Sequence, residues 1–530
     1  MRITNKVMQN NSLNNINTNK LLQDRLSTQM STQKKVNRPS DDPVVAVRAL
    51  RLRTNVNQIN QYYGKNVPDA KSWLDLTADA ISSMTEVVTS MYENATKGSN
   101  ENLTTEDKEI ILTQLKSLRD EVYSTGNTDY AGRYIFTGYR TDTTLTFTED
   151  TTKKYSITEQ VDKSVLDTIS YVGTGDLLDI TEANFENMNV IEEDHISTKE
   201  IHRLRISYQD VDDGTVPVIS YKEHDAATDT YVERRVECDV ASLYDVPSPY
   251  ENDYATGGAY ANKAVLIKET GEILLGDDLY GKLMATKDNL ATTGLDEDEG
   301  EIRVTYQKSD WKDGDLRPEH YFACTHIVGA APDAAKDIVY NPDYLKGIEE
   351  KQGIEYDVGL NQRIQVNTTA DEIFTHAVGR DVDDMIASME ETLAIEKMVA
   401  KLKGLLEIED NVNDTNKKAK LEEQLEAAEK ALTFSNEKTQ KLFESCITKM
   451  QGHLDTVNLA STENGTRGQR LELISSRLMS QKTNYETLQS ENEDADITEV
   501  AIRLSSAELT YNSSLMATGK ILQNSLMNFI

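Results

Sequence analysis

Cysteine is scarce in this chain. Cys238, Cys324 and Cys446 are the only three in 530 residues, an odd set with no paired spacing. That pattern shows no paired Cys motif and favours three free thiols over a disulfide framework. Long apolar runs are missing too: no stretch approaches the roughly 18 residues that a membrane-spanning helix needs. Positive charge is in the minority, with 56 Lys plus Arg against 90 Asp plus Glu, a formal net charge of −34. A surface of that sign repels nucleic acid and anionic lipid. The start, "MRITNKVMQNNSLNNINTNK", lacks the continuous apolar core of a secretory signal, so the expectation is a cytoplasmic protein or one exported without a cleaved signal.

Catalytic signatures are equally thin. The histidines are His195, His202, His224, His320, His326, His376 and His453, and none opens a His-Glu-x-x-His pair. "HYFACTH" brings His320, Cys324 and His326 to spacings that a metal could use, but the segment alternates as a strand does, and no metal site is assigned. "LDEDEGE" resembles a calcium loop with its glycine, Gly300, one place early, and reads as a solvated turn. With no phosphate-cradling glycine loop and no nucleophile elbow, the chain is expected to be no enzyme and to need no cofactor.

Proline is the informative scarcity. After Pro39, Pro43 and Pro68 none occurs until Pro217, and none follows Pro342. The two proline-free stretches hold the helical patterns. Trp73, Thr77, Ala80, Met84, Val87 and Met91 step by three and four, as do Ile111, Leu115, Leu118 and Val122. Towards the other end, "VDDMIASMEETLAIEKMVAKLKGLL" and "KKAKLEEQLEAAEKAL" are strong helix formers separated by the polar break "EIEDNVNDTNKK", which predicts a helical hairpin. A further helix through "FESCITKMQGHLDTVNLA" continues past "TENGTRG" into "QRLELISSRLMSQKTNYETLQ". A last one carries Ile497, Val500, Leu504, Ala507, Tyr511, Leu515, Leu522, Leu526 and Phe529 on one stripe.

Between these zones the period changes. "TTLTFTED" and "KKYSITEQV" alternate as half-buried strands, and "LRISYQDVDDGTVPVISY" and "AVLIKETGEILL" read as hairpins. "LRISYQ" at 204–209 nearly repeats as "IRVTYQ" at 302–307, a hint of two β units. The expected fold is α+β: an elongated helical coiled-coil or bundle domain built from both chain ends, with a mainly-β region inserted. The expected divisions are 1–66, an N-terminal assembly helix, turn and second helix; 67–142, the first part of the helical core; 143–354, the β insertion; 355–490, a return strand and the second part of the core; and 491–530, the C-terminal assembly helix.

The ends carry opposite charge. Residues 1–66 hold eleven Lys or Arg against Asp24, Asp41 and Asp42, a net of +8, and residues 491–530 net −4. Without interleaved aromatics the basic end does not read as a nucleic-acid arm. The N-terminal apolar stripe is Ile3, Val7, Leu13, Ile16, Leu22, Leu26 and Met30, yet seven of the first 20 residues are Asn, a poor helix former. Such a helix orders when a partner covers it, the behaviour of an assembly end.

One stretch is more specific. "MSTQKKVNRPSDDPVVAVRALRLR" contains Pro39 and Pro43, which force a turn, and Asp41 or Asp42 as a cap for the helix that Pro43 opens. It resembles the N-terminal region of the flagellin superfamily, with Gln33 at a place where that pattern carries glycine. "MRIT", "NTDYAGRYIFTGYRTDT", "YDVGLNQRIQVNTTADEIF" and "LQNSLMNFI" occur in the order of its hook-associated protein 3 (FlgL-type) branch. The likeness covers roughly residues 1–142 and 355–530. It implies a structural junction protein between the hook, through hook-associated protein 1, and the flagellin filament. It further implies a ring or tube of copies of itself, a secretion chaperone, and an exterior flagellar location reached by type III export. The stripe residues would then form the assembly interface, and Asn37, Arg38, Pro39, Ser40, Asp41, Asp42 and Pro43 a turn touching neighbouring subunits. The alternatives are a flagellin proper, or an adhesive β module displayed on a flagellar scaffold.

Overall fold

A computed structural model describes residues 5–225, 230–286, 301–328, 336–346, 352–408, 411 and 413–527. The residues group into two compact units: Met1–Lys71 with Tyr356–Ile364 and Gly468–Ile530, and Ser72–Glu355 with Gln365–Arg467. The fold class is α+β.

Helices dominate both ends of the chain. They are α1 (Asn5–Thr32), α2 (Pro43–Gln61), α3 (Val67–Gly98), α4 (Thr105–Glu121), a short α5 (Asp277–Met284), α6 (His376–Glu407), α7 (Thr415–Glu493) and α8 (Ile497–Met527). A π-helical turn, Tyr62–Asn66, joins α2 to α3. α4 starts on a capping box in which Thr104 and Asp107 satisfy each other's backbone N–H. Where the sequence suggests two successive helices beyond residue 415, α7 is a single element of 79 residues. "TFSNEKTQK" holds neither glycine nor proline to break it, and the glycines of "TENGTRG" are helical, beside a buried Asn464 that donates to the Leu74 carbonyl at 2.9 Å.

In the second unit α6 runs antiparallel to both α4 and α7. Arg119 Nε meets Asp383 at 2.9 Å and Lys116 meets Glu390 at 2.6 Å on one side. On the other, Ser388 and Thr392 exchange hydroxyl hydrogen bonds with Thr439 and Ser435. α6 and α7 therefore form the predicted helical hairpin. α3 buries Trp73, Thr77, Ala80, Met84 and Met91, but uses Val88 rather than Val87.

The inserted strands are β1 (Asp129–Tyr130) and β2 (Arg133–Tyr134), a small hairpin, then β3 (Lys154–Val161), β4 (Leu166–Gly173), β5 (Ser197–Arg205), β6 (Val218–Asp225), β7 (Thr230–Ala241), β8 (Ala264–Ile267), β9 (Glu272–Leu275), β10 (Ile302–Lys308), β11 (Ala323–Ile327) and β12 (Ile338–Tyr340), with β13 (Glu355–Gly359) and β14 (Gln362–Gln365) as a last hairpin. Ten of them make one sheet in the order β12-β11-β3-β10-β6-β7-β8-β9-β5-β4. β7 is long enough to join its halves, pairing antiparallel with β6 through residues 230–237 and parallel with β8 through residues 238–241.

Three expectations are corrected here. "LRISYQDVDDGTVPVISY" is not a hairpin: β5 pairs with β4 and β9, and β6 with β7 and β10, so the Asp-Gly segment connects strands that are not neighbours. "TTLTFTED" forms no strand; Leu145, Thr146 and Phe147 are all buried, and the segment meets the sheet side through the isolated Thr146–Leu316 bridge and the packing of Phe147 in the sheet core. The near-repeat at 204–209 and 302–307 is no structural repeat, since the second copy is β10 and only the first two residues of the other belong to β5. By contrast β3 buries every second residue as its alternation predicts, and Ala264–Leu275 is a hairpin with Gly271 at φ +68 in its turn. "LDEDEGE" falls almost wholly outside the described residues.

The sheet core gathers Trp311, Tyr155, Tyr306, Phe147 and Leu266. A second cluster lines the α6–α7 hairpin, with Leu402, Leu405, Leu421, Ala427 and Ala428 buried. Gln424 lies on that same face of α7, fully buried, and neither polar atom of its amide has a partner. Leaving such a group unpaired costs about 1–3 kcal/mol. Gln424→Leu is therefore expected to stabilise the protein by about that amount in denaturant unfolding followed by circular dichroism; an unchanged or lowered midpoint would contradict the packing described.

Candidate functional site: the paired terminal helices and the proline turn

In the first unit α1 and α8 run antiparallel. Lys34 pairs with Asp494, Leu26 packs with Val500 and Ala507, and Asn19 donates to Ser514 at 3.0 Å, so numbers fall on one helix as they rise on the other. The apolar seam is narrow: Leu26, at 6% exposure, heads a cluster of three buried residues with Leu504 and Ala495 beside it. Ile16 and Tyr511 are half-buried.

The stripe read from the sequence divides here. Val7, Leu13, Leu22, Met30 and Leu515 lie outside the seam and are exposed, Leu13 at 54%. They are joined on the surface by Leu21, Ile502, Leu509 and Met516, the last at 72%. Ile3 and Phe529, and the side chains of Leu522 and Leu526, lie outside the described residues. Three-residue and four-residue steps put a residue on the right side of a helix only within a turn or so. Among the described residues of α8 the half-buried ones are Ala501, Leu504, Tyr511, Ser514 and Thr518, which moves the seam off Leu515.

The turn between α1 and α2 is held by its own polar groups. Asp41 accepts the Arg38 and Asn37 N–H groups at 2.9 and 3.3 Å, and its own N–H donates to the Arg38 carbonyl at 2.9 Å. Those backbone hydrogen bonds, Arg38 first, lower the Asp41 carboxyl below its ordinary range. Asp42 is the cap: its Oδ1 accepts from Val44 and Val45 at 3.0 and 3.1 Å, with Pro43 opening α2. Asn37, Arg38, Pro39, Ser40 and Pro43 are exposed, and Asp41 and Asp42 partly so.

What single-residue reading missed is a clamp one step before the turn. Gln33 adopts φ +59, the left-handed conformation that glycine takes freely and other residues at a cost of about 1 kcal/mol. The resemblance puts glycine at this position. The bend lets the chain pair with the end of α7: Lys35 N–H donates to the Glu493 carbonyl at 2.7 Å and Ala495 N–H to the Gln33 carbonyl at 2.9 Å. Arg53 then grips Glu493 through two parallel hydrogen bonds of 2.8 and 2.6 Å, with Lys34 at 3.6 Å from the same carboxylate. The charge asymmetry of the two ends was the available signal, but it could not name Arg53 and Glu493.

Among the described residues no group of three or more His, Cys, Asp or Glu is arranged to hold a metal. His320 sits 3.0 Å from the Thr144 carbonyl, His326 stacks on Tyr155, and Cys324 is buried in the sheet core. Burial lowers the His320 imidazole to about 4 and raises the Cys238 and Cys446 thiols to about 12, so these groups are inert in neutral solution.

Residues 3–141 match the bacterial flagellin N-terminal helical region. Over 178 residues the chain is 31% identical to flagellar hook-associated protein 3 of Salmonella typhimurium and 32% identical to that of Escherichia coli, each alignment covering 33% of this chain and 56% of the relative. In this region the chain is similar to flagellar hook-associated protein 3. It spans about half the length of these two relatives. It is also 27% identical over 128 residues to a flagellin of Clostridium tyrobutyricum, covering 24% of this chain and 34% of that one. The crystal structure of FlgL from Xanthomonas campestris aligns with 83% of this chain and 99% of its own at 12% identity and a TM-score of 0.26, too loose a superposition to carry an argument.

The clamp gives a pH dependence with a defined sign. Burial pushes the Glu493 carboxyl up, but Arg53, with Lys34, outweighs it and holds the group below its ordinary 4.5. A lowered folded value means stability present above the unfolded value and lost as pH falls through the folded one. Glu493→Gln should thus lower the unfolding midpoint of the full-length protein at pH 7, and the difference from wild type should shrink as the pH falls below the carboxyl's ordinary 4.5. Equal midpoints at pH 7 would remove the clamp from the account.

Proposed function

We propose that this chain is a structural, non-enzymatic junction protein of the bacterial flagellum, placed between the hook and the flagellin filament. The observation that carries the reading is the pair α1–α8, which buries a thin seam and leaves Val7, Leu13, Leu22, Met30, Leu515 and Met516 uncovered. A soluble helix pair with that much apolar side chain outside is completed by neighbours of the same kind. Copies of the chain join through these residues into a ring or short tube, with hook-associated protein 1 on one side and flagellin on the other. The exposed turn Asn37–Pro43 lies between subunits, where Arg38 and the Asp41–Asp42 pair meet charges on the next copy. The likeness to hook-associated protein 3 supports the location, and a secretion chaperone covering α8 before export fits the same exposed face. The five divisions of the chain, from assembly helices to β insertion, follow this reading.

The similarity to a flagellin favours one rival, a filament subunit made in bulk. Adding purified protein to hook ends capped with hook-associated protein 1, and sedimenting them, separates the two. A junction protein binds in limited amount and then permits flagellin growth; unlimited growth of the chain by itself would mean a flagellin. In the same assay a Val7→Ser, Leu13→Ser, Leu22→Ser variant should fold with unchanged thermal stability, because those side chains are exposed, yet lose at least about tenfold in incorporation, roughly the effect of a few uncovered apolar side chains. Wild-type incorporation by this variant would refute the interface.

A further inference from the structure

Within the second unit, α6 begins beside the sheet without a capping side chain: Thr375 occupies the cap position and makes no such hydrogen bond. A cavity of about 80 Å³ opens at that place, lined by Arg119, Arg205, Arg380, Lys308 and Lys312 with Tyr208 and His376 among its other walls. We propose that this cavity binds one small multivalent oxyanion, of the phosphate or sulfate class, which ties the start of α6 to the sheet.

Three polar atoms with no protein partner meet there: Arg205 Nε, Tyr208 Oη and His376 Nε2. Arg205 and Tyr208 are 7% and 5% exposed, so bulk water does not serve them. A buried polar atom left unmatched is costly, and three on the residues around one space, with Arg205 Nε and Tyr208 Oη able to donate, describe a ligand. The carboxylates that face the cavity are already engaged. Asp383 accepts from Arg119 and Gln209, Asp210 from Lys312 at 2.9 Å, and Asp315 from the Lys312 N–H at 3.0 Å. Just outside, Asp384 is shared between Arg203 and Arg205, while Asp167 and Glu272 hold Arg203 from its other side. Five cations and three carboxylates line the cavity itself. Its position at a helix N-terminus adds the positive end of the helix dipole. The space admits a tetrahedral oxyanion.

The test uses the full-length protein freed of phosphate and sulfate. Thermal melts with sodium phosphate are compared with sodium chloride at matched ionic strength, and affinity is read by calorimetry. Phosphate and sulfate should raise the unfolding midpoint, continuing to rise with concentration above the dissociation constant, and chloride should not. Tyr208→Phe keeps the ring packing against Trp311 and His376 and removes one donor, so it should fold normally and bind phosphate about tenfold more weakly. Lys312→Gln, at an exposed amine, should weaken binding as well. The proposal is overturned if chloride reproduces the shift, if no phosphate binding is detected, or if Tyr208→Phe binds as wild type does.

Discussion

Everything in the first unit depends on bringing the two ends of the chain side by side, and the antiparallel seam between α1 and α8 is too slight to do it alone. Leu26, Val500 and Ala507 are its only fully buried apolar residues among those described. Register comes from polar groups at one end: the left-handed Gln33, the backbone pairing of residues 33–35 with 493–495, and Arg53 on the buried Glu493. A narrow apolar seam with a sharp polar register mark gives a helix pair that is specified without being saturated. That condition leaves apolar surface for other molecules.

The second unit is built on the opposite plan. Its sheet and helices bury large aromatic and aliphatic cores, and they also bury charge. Arg203 and Arg205 bridge β5 to Asp384 on α6, with Asp167 and Glu272 completing the group. Buried ion pairs of this kind add little net stability but penalise any arrangement that leaves one partner alone. They fix how the sheet and α6 meet, a job that smooth apolar faces do poorly. Asp381, bound by Lys449 and His453, does the same between α6 and α7.

Helical period and proline placement made the fold class legible, because long elements repeat their signal many times. The hairpin of α6 and α7 and the alternating β3 were readable for the same reason. Strand partners were not: "LRISYQDVDDGTVPVISY" looks like a local hairpin, but β5 pairs with β4 and β9 and β6 with β7 and β10, and no local pattern encodes partners such as β9 and β10. The turn chemistry at Asp42 and Pro43 was legible since a cap acts within three residues. Arg53 with Glu493, and the cavity at the start of α6, were not, because each needs residues that only the folded chain brings together.

The central claim is that the α1–α8 pair is completed by other copies or partners. Hydrogen exchange of the full-length protein, free and incorporated on capped hook ends, tests it directly. The account predicts slow exchange appearing along α1 and α8 on incorporation while the sheet from β3 to β12 stays unchanged. Protection gained in the sheet alone, with the terminal helices exchanging as in the free protein, would contradict it.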